Sequence, residues 1–136
     1  MRLASTGVGR RQEVPTEPQP ATLSEVVNRA ADVVDPLGGN DGVAYLVEHL
    51  QDRDEPVSAD VPRLETELAE LVGRVDPQEE DPAVTMMSAL ILHLAHRRDE
   101  LNADPARLLQ QAARDEYHGK PPELVTQWLA EQGVRL

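Results

Sequence analysis

The 136-residue chain has no cysteine and no phenylalanine, a single tryptophan, two tyrosines and one lysine, Lys120. Without cysteine there can be no disulfide, no thiolate metal site and no cysteine nucleophile, and nothing points to an oxidising compartment, so a cytoplasmic location is expected. With Tyr45, Tyr117 and Trp128 the only aromatics, the core must be built from Leu, Val and Ala. A chain of this length buries roughly 70% of its unfolded surface, enough to support one folded unit without staples. Long apolar runs are also missing. The most apolar stretch, Met86 to Ala95, is about half a membrane span and is interrupted by His93. The N-terminus is basic but has no apolar segment behind it, so it does not read as a secretory signal.

Positive charge is scarce as well. There are 13 Lys plus Arg against 25 Asp plus Glu, a net charge of -12. Arg2, Arg10 and Arg11 against Glu13 and Glu17 leave residues 1–20 at +1, so the remaining -13 belongs to residues 21–136. Such a surface repels phosphate backbones and anionic lipid and favours basic partners. Direct nucleic-acid binding and membrane association are therefore not expected.

Residues 1–20 combine Gly7, Gly9, Pro15, Pro18 and Pro20 with almost no large apolar side chains, which predicts a disordered tail. From residue 21 the pattern is helical to the end, and residues 21–136 are expected to form a single helical domain. Thr22 and Glu25 make a capping box before Leu23, Val26, Val27, Ala30 and Val34. Asp35-Pro36 stops that helix, and a Gly-rich turn leads to a second helix carrying Val43, Leu46, Val47 and Leu50, ending near Arg53. Ser58 or Asp60 can cap a third with Leu64, Leu68, Leu71, Val72 and Val75. Asp81-Pro82 opens a fourth, expected to reach Leu101 and to sit at the centre or face a partner. Asp104-Pro105 opens a fifth that Gly119 ends, and Pro121-Pro122 a sixth with Leu124, Val125, Trp128 and Leu129 on one side. No segment alternates as a strand does. The expected fold class is all-α, a compact bundle of five to six short helices. The Asp-Pro start recurs at Asp35, Asp76, Asp81 and Asp104 at irregular intervals, which reads as repeated capping rather than as a repeat of 20 to 50 residues.

Chemistry is sparse. His93, His96 and Glu100 lie at positions 0, 3 and 7 of one helical face and could present two imidazoles and a carboxylate to a metal ion. The helical wheel sets all three on the polar side of the fourth helix, where the alternative is a solvated face. A further donor would have to come from His49, Asp115 or His118. Serines lack a nucleophile elbow, and the carboxylates sit at caps, in linkers or on wet faces, so no catalytic residue is assigned. The loop Gly38-Gly39-Asn40-Asp41-Gly42 follows no strand and has no lysine, so it is a turn rather than a phosphate cradle. Asp52-Arg53-Asp54-Glu55 begins like a calcium loop but meets Pro56. The sixth helix contains two glutamates and no Lys or Arg, which excludes it as a DNA-recognition helix. Trp128, at helical spacing among leucines, reads as core.

The feature left is the acidic run: Glu65, Glu67 and Glu70 on the third helix, with Glu79 and Glu80 just after it. The expected function is a non-catalytic binding or regulatory protein, using no cofactor, that meets a basic protein partner through these side chains. A metal-binding helical protein using His93, His96 and Glu100 is the second reading. A homo-oligomer joined through the apolar arc of the fourth helix is the third.

Overall fold

The computed structural model describes residues 21–136; the tail expected over residues 1–20 lies outside them. Six α-helices follow in order: α1 Leu23–Val34, α2 Asp41–Leu50, α3 Val61–Val75, α4 Pro82–His96, α5 Pro105–Tyr117 and α6 Glu123–Glu131. Among the described residues there is no strand, only an isolated bridge between Thr22 and Pro56. Nor is any helix among them long and apolar enough to cross a membrane.

The caps explain the starts. Thr22 and Glu25 form the reciprocal capping box, with the Glu25 backbone N–H donating to Thr22 Oγ1 at 3.1 Å and the Thr22 N–H to Glu25 Oε1 at 2.9 Å. Asn40, Asp60, Asp81 and Asp104 accept from the first turns of α2, α3, α4 and α5, and α6 begins after Pro122 without a side-chain cap. Two ends differ from expectation. Helix α2 stops at Leu50 rather than near Arg53. Helix α4 stops at His96 rather than Leu101, with Arg97 outside the helical region at its C-cap (φ -127°, ψ 59°) and a single 3-10 turn, Arg98–Glu100, following. At the end of α5, His118 itself takes the left-handed conformation (φ 54°) and Gly119 follows in the same region (φ 83°).

Helix α4 is the axis of the molecule. It packs against α1, α2, α3, α5 and α6, and Ala83, Val84, Met86, Met87, Ala89, Leu90, Ile91, Leu94 and Ala95 are all buried. Of the apolar arc expected on this helix, Met87, Leu90, Ile91, Leu94 and Ala95 are buried inside the chain, while Leu92 is only partly covered. A single apolar cluster of Leu, Val, Ala, Met and Ile91 includes residues from every helix, with Trp128 partly buried against it.

The structure also corrects the reading of the Asp-Pro signals. Helices α1 and α2 form one hairpin and α3 and α4 another, and the two connectors are alike at an offset of 41 residues. Asp35 and Asp76 hold nearly the same C-cap conformation (φ -146°, ψ 65° and φ -144°, ψ 59°). Each carboxylate accepts from two backbone N–H groups in the connector: Asp35 from Gly39 and Asn40 at 3.1 and 2.9 Å, Asp76 from Glu80 and Asp81 at 2.8 and 3.1 Å. Buried positions correspond too, Leu23 with Leu64, Val27 with Leu68, Ala30 with Leu71, Val43 with Val84, Leu46 with Met87 and Leu50 with Ile91. The connectors meet where Asn40 Nδ2 donates to Asp81 Oδ2 at 3.0 Å. Close packing continues at Gly42, where a Cβ would come within 2.6 Å of Val84 Cγ2.

Candidate functional site

Of the three residues expected to share a metal-binding face, the structure brings two together and leaves the third apart. His93 is buried on α4 at 3% exposure, and Glu100 is buried on the 3-10 turn at 6%, while His96 is exposed at the last position of α4. The expectation of a solvated face therefore fails for His93 and Glu100. The reason is the early end of α4: Arg97 turns the chain, so Glu100 folds back over His93 instead of standing two turns along the same helix.

His93 Nε2 lies 3.0 Å from Glu100 Oε1, and Nδ1 lies 2.6 Å from Asp115 Oδ2 on α5. Each ring nitrogen is thus within hydrogen-bonding distance of a carboxylate oxygen, one from the 3-10 turn and one from α5. Glu100 is shared further: Arg97 Nη2 lies 2.9 Å and Arg107 Nη2 3.8 Å from Glu100 Oε2. The cluster thus ties α4, the 3-10 turn and α5 together. Both imidazole nitrogens are engaged by carboxylate oxygens. No group of three or more metal-ligating side chains gathers among the described residues. Asp115 is a partner that spacing could name as a donor but not place; only the crossing of α5 over α4 sets it against His93.

The acidic residues divide. Glu67 is held in an ion pair, with Arg53 Nη1 2.6 Å from its Oε2 while the same guanidinium also binds Glu55 at 2.7 Å. The two carboxylates hold the Arg53 guanidinium firmly protonated, and Arg53 in return pulls the Glu55 carboxyl below its usual value. Glu70 and Glu80 are exposed. Glu65 and Glu79, also exposed, line a groove of about 390 Å³ whose other walls include Val72 and Gly73 of α3, Ser88, Ala89 and Leu92 of α4, and Glu116 of α5. A second hollow of about 190 Å³ shares Glu65, Ala89, Leu92 and Glu116 and runs on past His96. Burial, and then the charge of Glu65, push the Glu116 carboxyl above its ordinary value, with His118 acting the other way. The Tyr117 phenol is pushed up to about 12 by burial first and by Glu116 and Glu79 next. Glu116 is the functional candidate that the sequence reading missed. Its signal is weak, since it lies on a different helix, some fifty positions from Glu65.

Comparison with known protein families, with characterised proteins and with solved structures finds no match to this chain.

Proposed function

We propose that this chain is a non-catalytic binding or regulatory protein acting through protein–protein contacts on the acidic side formed by α3, its connector and α5. One observation carries the reading: Glu65, Glu70, Glu79, Glu80 and Glu116 form no ion pair among the described residues, whereas Arg53, Arg97 and Arg107 are engaged with other carboxylates. Carboxylates left without internal cations are available to a basic partner, and they steer its approach. A cytoplasmic setting, suggested by the cysteine-free composition, belongs to the same reading.

The test is affinity capture from a lysate of the source cells with the full-length protein at low and at moderate salt. A stoichiometric basic protein that is lost as salt rises, and lost at low salt when Glu65 and Glu70 are both changed to Lys, is the expected result. Retention of the same proteins by the charge-reversed variant would remove the acidic side as the binding surface.

A further inference from the structure

We propose that the groove between α3 and α5 is the docking site for an α-helix of a partner protein, one that carries lysine or arginine along one edge and small or branched apolar side chains beside it. The proposal rests on the acidic-binding reading above and gives it a site, a shape and an occupant.

The shape follows from the helices. α3 and α5 each pack chiefly on α4, and a stripe of α4 between them stays only partly covered. Thr85, Ser88, Ala89 and Leu92 occupy that stripe at positions 0, 3, 4 and 7, so the floor runs for about two turns, ~10 Å, along the axis of α4. The α3 wall offers Ala69, Val72 and Gly73, and a Cβ added at Gly73 would meet nothing within 4 Å. Small side chains on floor and wall allow a second helix to approach to the ~8–10 Å axis separation of packed helices. This is the geometry of helix-in-groove recognition, in which apolar anchors at helical spacing seat the partner.

The charge selects the occupant. Carboxylates from three elements converge on the groove: Glu65 from α3, Glu79 from the α3–α4 connector and Glu116 from α5. The charge of Glu65 raises Glu116, opposed there by His118, and the charges of Glu116 and Glu79 both raise Tyr117. A nucleic acid or an anionic lipid surface would add to that repulsion, and so would a second copy of a chain whose net charge is -12. A cationic helix edge relieves it. The corresponding surface of the first hairpin is also hollow, about 390 Å³ lined by Asp32, Val47 and Glu48, but it has no third wall equivalent to α5. It serves as the internal control.

The probe is a capped synthetic peptide of Ala, Leu and Lys, with leucines on one helical face and lysines on its edge, titrated into the isotopically labelled full-length protein. Its comparator has the same length and charge, with one central residue replaced by a proline that breaks the helix. We expect the helical peptide to shift the amide signals of Glu65 to Gly73, Thr85 to Leu92 and Glu116, and to bind about tenfold more tightly than the comparator. Combining Glu65→Lys with Glu116→Lys, or filling the floor with Ser88→Trp, should each weaken the helical peptide by about tenfold or more, with unchanged helix content by circular dichroism. Asp32→Lys with Glu48→Lys should not. Equal binding of both peptides, or insensitivity to Ser88→Trp, would overturn the groove while sparing the acidic surface as a general attractor of cations. No binding of either peptide, together with failure of the capture experiment, would overturn both. A concentration-dependent dimer abolished by Ser88→Trp would assign the groove to a second copy and end the proposal.

Discussion

Side chains that spacing placed on one helical face parted company for a reason confined to a single backbone position. Arg97, at φ -127° and ψ 59°, ends α4, and everything after it changes direction. His93 is thereby enclosed by Glu100 and Asp115. His93→Ala should lower the unfolding free energy by about 3 kcal/mol in urea denaturation, because Glu100 remains buried with part of its hydrogen bonding removed. The double change His93→Met with Glu100→Met should cost much less, since no buried charge is left behind. Equal losses for the single and double variants would show that packing, not the polar cluster, is what His93 provides. The residue types of this cluster were readable in the sequence. Their mutual contact was not, because a helical wheel assumes that the helix continues.

At the scale of elements, caps and stripes were the readable part, because they are local. Thr22 with Glu25, Asp60 before Pro62, Asp81 before Pro82 and Asp104 before Pro105 each act within one turn, and the structure finds each of them at work. The likeness of the two hairpins escaped the sequence reading because most paired buried positions differ in residue type: Val27 answers to Leu68, Ala30 to Leu71, Leu46 to Met87. What they share is the connector. Its left-handed position is Gly38 (φ 73°) in the first and Glu79 (φ 54°) in the second. A β-carbon there costs about 1 kcal/mol relative to glycine. Glu79→Gly is therefore expected to raise stability by ~0.5–1 kcal/mol in a urea melt while weakening the helical peptide in the groove. A variant less stable than the parent would mean that the Glu79 side chain makes a contribution to folding larger than its backbone strain.

The whole molecule carries its charge unevenly, and the consequence is a dependence on pH. Glu116 titrates above its ordinary value of 4.5, so the folded state favours its protonated form. The sign follows: the contribution is favourable below the ordinary value and is lost as pH rises through the raised one. Glu116→Gln should accordingly raise the melting temperature at pH 7 by a degree or two, about 0.3 kcal/mol for an exposed and screened group. The gain should vanish below about pH 4, where both forms are neutral, and shrink in high salt as the repulsion from Glu65 is screened. A gain that is the same at pH 4 and pH 7 would show that the charge of Glu116 is not its source.

By itself the sequence determined the class of fold, the order of its helices and most of their caps, since each rests on contacts between residues three or four positions apart. It also determined the sign of the surface, which is a matter of composition. Tertiary structure alone decided the early turn after His96, the enclosure of His93 and the convergence of Glu65, Glu79 and Glu116. These depend on how α5 and α3 lie across α4, and that placement is set by the packing of one shared Leu, Val and Ala core rather than by any local signal.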